Sequence, residues 1–451
     1  MPPSRRVLIL ALAAGCLLRA WLFATVAGSP DLLVAADQKM YVDLAGYLAN
    51  HLDVGLGFGS ERTPLYPLFL ALCGVGWGGS LAFAVLVQNL LGGVTVYAVW
   101  RMGRLWSATA ANLAGAFAAL SLNLAVYANQ TLTEALFMPL FAWGLFLLLR
   151  HAAQGRMRDL GWAAALFGAC TLVRSATLYL PLFAAPYLLL RPGGGGAGRR
   201  LGAAALFCLL FGLVLAPWLA RNAALYGHAG LTSQGAPHLI GWIVPGVAQY
   251  EEGLSQQQAM AKYTGIWAEK QAALPPEVRD NPFAQDAAAK AFAADYLRAA
   301  SPVSLAKAWF WGAVKNLFTP VSVELAYILK MDWTHFSDSP GAGFPQQAWN
   351  FLAHNKSTAY VVFLLAGTGL TLVLRLAQLL GLGPLWRKPA AFWAAAMVVA
   401  YVLAVSGPVG YAKYRLPFEP LLCLLAGLAA ARMSLWRKAG EDAVGVRSGG
   451  A

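Results

Sequence analysis

The chain has 451 residues, 59% of them hydrophobic and only 12% charged, with a mean hydropathy of +0.57. That balance excludes a soluble globular enzyme and a disordered chain, and marks a polytopic membrane protein. The formal net charge of +13 is no sign of nucleic-acid binding, because cytoplasmic loops facing anionic lipid collect Lys and Arg by the insertion rule alone.

Residues 7–27 form the first apolar stretch, preceded by Arg5 and Arg6, which hold the N-terminus inside. Arg19 interrupts its apolar run and no small-residue cleavage site follows, so the segment reads as a retained span rather than a signal peptide. The loop from Gly28 to Glu61 then carries Met40, Leu44, Tyr47 and Leu48 at helical spacing, which predicts an amphipathic helix on the membrane surface. Residues 62–77 are too short to cross and, with Pro64 and Pro67 near their start, read as a second juxtamembrane helix.

Six further apolar stretches follow at 81–100, 107–127, 132–150, 159–173, 176–190 and 201–218, and three more at 358–376, 390–409 and 416–434. About ten spans are therefore expected, each long enough for a hydrocarbon core of roughly 30 Å. Counting from the N-terminus places Arg101 and Arg104, then Arg150, Arg156 and Arg158, then Arg191, Arg199 and Arg200, then Arg387 and Lys388, and last Arg437 and Lys438 in the cytoplasm. Every inside loop is then basic. The Gly193 to Gly196 run lacks the Lys-Ser/Thr of a phosphate-binding loop and reads as a connector.

Residues 221–357 are too long for a connector. Helical patterns at 256–273, 284–299 and 303–318, broken by Pro275-Pro276 and Pro302, predict a small helical cap on the outer side. Trp309, Phe310, Trp311, Lys315 and Phe318 suit the membrane interface. The expected organisation is a transmembrane module over 1–220 with an outer loop at 28–80, the cap over 221–357, C-terminal spans over 358–438 and a disordered cytoplasmic tail over 439–451. Cys16, Cys73, Cys170, Cys208 and Cys423 have no metal-type spacing and read as small core residues, and the six histidines form no metal motif.

This topology puts Arg62, Arg174, Arg221, Lys413 and Arg415 at the outer face, where a lipid phosphate is the natural partner for a cation. Each of them can instead snorkel to headgroups, and Arg415 can pair with Glu419 one turn on. Two carboxylates lie at the same boundary. Asp37 opens the predicted surface helix and can either cap it or point into a cavity. For Glu134, Thr131-x-x-Glu134 fits a capping box, so a structural role is favoured over binding of a divalent ion or a sugar hydroxyl. Asp43, one and a half turns beyond Asp37, faces elsewhere, while His238, Tyr250 and Glu251 near the start of the cap are candidate acceptor contacts by position.

Five segments in order, Asp37-x-x-x-Tyr41-x-x-Leu44-Ala45, Arg62-Thr63-Pro64-Leu65-Tyr66-Pro67-Leu68, Leu132-Thr133-Glu134, Pro217-Trp218-x-x-Arg221-Asn222 and Tyr414-Arg415-Leu416-Pro417-x-Glu419-Pro420, resemble the polyprenyl-phosphate-sugar-dependent glycosyltransferases of the GT-C class. Bacterial relatives of the dolichyl-phosphate-mannose protein mannosyltransferases look closest, and the lipid A aminoarabinose transferases are similar. The resemblance implies the all-α GT-C membrane fold, a polyprenyl-phosphate sugar as donor, and transfer at the outer, periplasmic face of a bacterial inner membrane to a lipid, glycan or protein. It maps the family's catalytic acid onto Asp37 and donor-phosphate binding onto Arg62, Arg174, Arg221, Lys413 and Arg415. Tyr41, Asp43, Glu134 and His238 stand as further candidates for substrate or metal contact. Gln38 follows Asp37 where the mannosyltransferase pattern has Glu, which counts against a protein acceptor.

The chemistry is consistent with one acid. A glycosidase uses two carboxylates because it must also protonate an alkoxide leaving group. A lipid phosphate leaves as a stable anion and needs only charge stabilisation, so one base and several cations suffice. No cofactor is required, and Asp37 with Glu134 is at most a partial divalent site. The competing class is a transporter or flippase of a lipid-linked sugar, which would favour repeated halves with broken helices at the midplane; no such repeat is present.

Overall fold

The computed structural model describes residues 2–34, 37–332, 336, 339 and 344–448, and among these there is no β-strand. The chain enters through α1 (Pro3–Ala27), and the first loop folds into α2 (Asp37–His51) and α3 (Leu65–Leu72). Then come α4 (Leu81–Gly103), α5 (Ala108–Leu120), α6 (Leu122–Ala128), α7 (Glu134–Gln154), α8 (Met157–Val173), α9 (Leu180–Leu190) and α10 (Ala197–Tyr226). The cap contains α11 (Gly235–His238), α12 (Val244–Glu251), α13 (Gln256–Ala272), α14 (Pro276–Arg279), α15 (Pro282–Ala299), α16 (Pro302–Phe318), α17 (Ser322–Ile328) and α18 (Phe344–His354). The chain closes with α19 (Thr358–Trp386), α20 (Pro389–Ser406) and α21 (Glu419–Ser448).

All ten predicted spans are helical, but they differ in length. Among the described residues seven are long and apolar enough to cross a bilayer, and the α5–α6 pair, bent by 49°, makes eight if it counts as one span. The bend falls at Ser121, whose hydroxyl caps the second helix by accepting from the Leu124 amide, so the chain restarts rather than continues. The two remaining segments, α8 and α9, have 17 and 11 residues, shorter than the other spans. At the C-terminus α21 runs to Ser448, through most of the tail expected to be disordered; residues 449–451 lie outside the described residues.

Small residues let these helices approach closely. A Cβ at Gly381 of α19 would collide with the Leu425 carbonyl of α21, and one at Gly427 would stand 2.5 Å from the Ala114 amide nitrogen of α5. Two of the five cysteines depart from the core expectation. Cys16 and Cys208 are exposed on the apolar exterior and Cys73 is intermediate, whereas Cys170 and Cys423 are buried.

The two ends of the bundle differ in chemistry. At one end the arginine-rich turns are tied to each other. Trp106 Nε1 donates to the Pro384 carbonyl at 3.1 Å, Lys388 Nζ to that of Leu105 at 2.5 Å, and Arg199 to that of Gly155 at 2.9 Å. At the other end the first loop is stitched to the cap, with the Ser233 amide donating to the Ser60 carbonyl at 3.0 Å and the two hydroxyls 2.8 Å apart. The cap is a helical cluster on its own small core of Val244, Ala248, Ala259, Tyr263 and Ala293. Glu252 binds it together, accepting from the Tyr263 hydroxyl, from the Tyr296 hydroxyl at 3.0 Å and from Lys262 at 2.6 Å.

Candidate active site at the capped end of the bundle

Asp37 is the first residue of α2, with its side chain 65% exposed. Arg62, just before α3, lies 3.6 Å from it, and the Arg62 guanidinium also stands over the Tyr41 ring at 5.4 Å and contacts Met40 Sδ at 3.0 Å. Tyr41 in turn packs edge-on against Tyr66 at 5.2 Å, and the Tyr66 hydroxyl donates to Gln88 Oε1 at 2.8 Å. A chain of contacts thus fixes the face of α2 that carries Asp37 and Tyr41. Asp43 lies off that face, salt-bridged to Lys39 at 2.9 Å in solvent.

Glu134, at the start of α7, is only 3% exposed. Arg174, which ends α8, bonds to Glu134 Oε1, and Lys413 lies 3.5 Å from the same oxygen. The capping box predicted around it does not form. Thr133, not Thr131, is the N-cap and makes no side-chain cap bond; its hydroxyl donates to Glu134 Oε2 at 3.1 Å, while Thr131 Oγ1 is buried with no partner. Glu134 is therefore an anchor for two cations rather than a helix cap.

Lys413 links the two halves of the site, since the charges of both Arg174 and Asp37 act on it. The Tyr414 ring lies 5.9 Å from the Arg174 guanidinium. His238 of α11 joins from the cap. Burial, with the Arg174 charge second, holds its imidazole below the usual 6.5, so it is neutral at pH 7. Asp37, Tyr41 and Arg62 of the first loop, Glu134 of α7, Arg174 after α8, His238 of the cap and Lys413 before α21 come together from five separated parts of the chain.

Arg221 and Arg415 have other partners. Arg221 donates to the carbonyls of Val54, Gly55 and Gly59 at 2.6, 2.6 and 2.9 Å and stands over Trp218 at 4.7 Å. It clamps the first loop to α10. Arg415 is 3% exposed, pairs with Glu419 at 3.1 Å, and donates to the carbonyls of Asn316, Leu317 and Thr319 at 3.1, 3.3 and 2.8 Å. Those carbonyls are the orphan acceptors at the C-terminal end of α16, so Arg415 caps that helix. Both were expected on the donor phosphate; with their donors committed to backbone oxygens, they position the loop and the cap instead. Glu251 is similarly structural, accepting from the Ser301 amide at 3.1 Å and hydroxyl at 2.8 Å.

A divalent-ion site does not fit these residues. Glu134 is already compensated by two cations, and among the described residues no three of His, Cys, Asp and Glu gather where a metal could bind.

Sequence reasoning read Arg19 only as an interruption of the first span. It is 9% exposed, and neither terminal nitrogen has a hydrogen-bond partner among the described residues. With Thr95, whose hydroxyl is also unpartnered, and Glu134 it lines a cavity of about 10 Å³ beneath the anionic anchor. A charged residue inside an apolar span is costly, and that alone was the available signal.

The family model for dolichyl-phosphate-mannose-protein mannosyltransferase matches residues 61–220, which include Arg62, Glu134 and Arg174 but not Asp37 or Lys413. No curated protein matches the chain in sequence. The fold is similar to that of the archaeal oligosaccharyltransferase AglB from Archaeoglobus fulgidus, solved in complex with an inhibitory peptide and a dolichol-phosphate, with a TM-score of 0.51 and 11% identity. That likeness covers 97% of this chain and 52% of AglB, so the chain spans about half the length of that protein. ArnT from Cupriavidus metallidurans bound to undecaprenyl phosphate is similar at a TM-score of 0.40 and 16% identity, over 93% of this chain and 76% of that one. The chain is thus a multi-pass membrane protein of the GT-C fold, in which residues 61–220 match the dolichyl-phosphate-mannose-protein mannosyltransferase family.

Proposed function

We propose that this protein is a membrane glycosyltransferase that moves a hexosyl or pentosyl group from a polyprenyl-phosphate carrier to a hydroxyl of a lipid, glycan or protein acceptor, at the outer face of a bacterial inner membrane. The observation that carries the reading is one accessible carboxylate, Asp37, set 3.6 Å from Arg62 and within electrostatic reach of Lys413, which shares Glu134 with Arg174. The family match and the dolichol-phosphate in AglB's complex support a lipid-phosphate donor.

In this mechanism Asp37 takes the proton of the acceptor hydroxyl, whose oxygen attacks the anomeric carbon. The bond from that carbon to the phosphate oxygen breaks, and its electron pair leaves with the lipid phosphate. Arg62, Arg174 and Lys413 stabilise the phosphate. Three cations against two carboxylates leave the site with one positive charge, matching a phosphodiester. As the leaving phosphate gains a second negative charge, Asp37 is neutralised and the site gains a second positive one. Single displacement inverts the anomeric centre.

The test is mass spectrometry of envelope glycans and glycolipids in a deletion strain complemented with wild type or with Asp37→Asn. One sugar mass should vanish on deletion and return with wild type alone, while purified Asp37→Asn still binds the donor. Restoration by the variant would remove Asp37 as base, and no lost mass on deletion would remove the transferase reading.

A further inference from the structure

A cavity lies at the opposite end of the bundle, where nothing in the proposed reaction uses it. It encloses about 430 Å³ between the ends of α4 and α7, and Arg101, Arg104, Arg150 and Arg156 line it without a single acidic side chain. Among the described residues only Arg150 of these four has a carboxylate, Asp159, at 2.5 Å. The insertion rule accounts for arginines at this end but not for their convergence on one concave wall. Self-repulsion among three uncompensated guanidinium groups needs an anion to offset it.

The walls say what kind of anion. Arg101 stands over Tyr97 at 5.8 Å and Phe146 at 5.1 Å and donates one bond to the Tyr97 hydroxyl at 3.2 Å, and Arg104 stands over Trp100 at 5.5 Å, so rings hold the cations in place while most of their donors stay available. Along α4, Phe83, Leu86, Leu90, Val94 and Tyr97 are all exposed. Their spacing of three or four residues makes one continuous apolar stripe that ends at Arg101, one turn beyond Tyr97. At 1.5 Å per residue the stripe runs roughly 21 Å, somewhat more than one leaflet of a hydrocarbon core of roughly 30 Å. An acyl chain lying along it would bring its headgroup to the arginines.

We propose that this cavity is a binding site for the phosphodiester headgroup of an anionic phospholipid, separate from the donor site. Two guanidinium groups, Arg101 and Arg104, provide planar donors for the phosphate oxygens, Arg156 adds charge at the rim, and the α4 stripe takes a chain.

The experiment is native mass spectrometry of the delipidated full chain with added phosphatidylglycerol, with phosphatidylcholine, or with phosphatidylglycerol plus millimolar inorganic phosphate. Wild type should keep one phosphatidylglycerol in preference to phosphatidylcholine, and Arg101→Gln with Arg104→Gln should weaken that binding by about tenfold or more, the order expected for removing two cations at a membrane surface. Donor-lipid binding at the other end should be unchanged in the variant, which also verifies its fold. Equal retention of the two lipids, or equal phosphatidylglycerol binding by wild type and variant, overturns the proposal. Displacement of the lipid by inorganic phosphate overturns the lipid assignment and makes the site one for a soluble phosphate.

Discussion

Arg19 and Glu134 show how differently two buried charges can be treated. Glu134 at 3% exposure is surrounded by Arg174, Lys413 and the Thr133 hydroxyl, so its desolvation is offset by charge-assisted bonds. Arg19, 9% exposed, has no hydrogen bond from either terminal nitrogen among the described residues. An uncompensated buried charge destabilises the folded state by several kcal/mol. Arg19→Met, which keeps the length and removes the charge, should therefore leave the thermal midpoint in detergent unchanged or raise it. A loss of more than about 1 kcal/mol would mean that the guanidinium has a partner in the folded protein. The contrast also bears on legibility: Glu134 looked like a helix cap in sequence because the local pattern Thr-x-x-Glu outweighed partners 40 and 279 residues away, which no local pattern contains.

At the scale of elements, the cap hangs on single polar residues rather than on a large core. Glu252, which follows α12, reaches α13 and α15 through Lys262, Tyr263 and Tyr296. Burial alone would raise its carboxyl, but the hydrogen bonds from Lys262, Tyr263 and Tyr296 outweigh that and hold it below the usual 4.5. Its folded value is thus depressed. The contribution is fully present above about 4.5 and is lost as pH falls through the lower folded value, where the unfolded chain binds more protons. Hydrogen-exchange protection factors of α12, α13 and α15, taken relative to the intrinsic rate at each pH, should fall below pH 4.5 in wild type, and a Glu252→Gln variant should lose that dependence. An unaltered pH profile in the variant would remove Glu252 as the tie. Arg221 and Arg415 act at this scale too, one clamping the loop of residues 54–59 and the other closing the end of α16. Their exposed position in the sequence pattern suggested ligand binding because backbone carbonyls of distant segments leave no trace in composition.

For the molecule as a whole, the separation of a carboxylate-and-cation site at one end from an arginine-only cavity at the other defines an axis across the membrane. The insertion rule applied to the basic turns predicts its direction, with the arginine cavity in the cytoplasm. In a chain whose five native cysteines are replaced, Ala268→Cys in the exposed part of α13 should react with a membrane-impermeant thiol reagent on intact spheroplasts. Gln154→Cys beside the arginine cavity should react only after the membrane is opened. The reverse pattern would invert the orientation and move the proposed reaction to the cytoplasm.

Hydropathy by itself determined that the chain is an all-helical membrane protein, since a bilayer demands long apolar segments with internally satisfied backbones and these are written consecutively in sequence. Period and proline breaks likewise located the surface helix at Asp37 and the three main helices of the cap. The length and straightness of each helix were decided by tertiary structure, because the kink at Ser121 and the ends of α8 and α9 depend on capping and packing that hydropathy averages over. The same holds for the site. Residue type and boundary position nominated five cations, but only folding distributed them, placing Arg62, Arg174 and Lys413 beside the carboxylates of the site, Arg221 on carbonyls, and Arg415 on carbonyls and Glu419. A guanidinium binds a phosphate, a carboxylate or a peptide oxygen with the same donors, so its role is set by which acceptor the fold brings within about 3 Å.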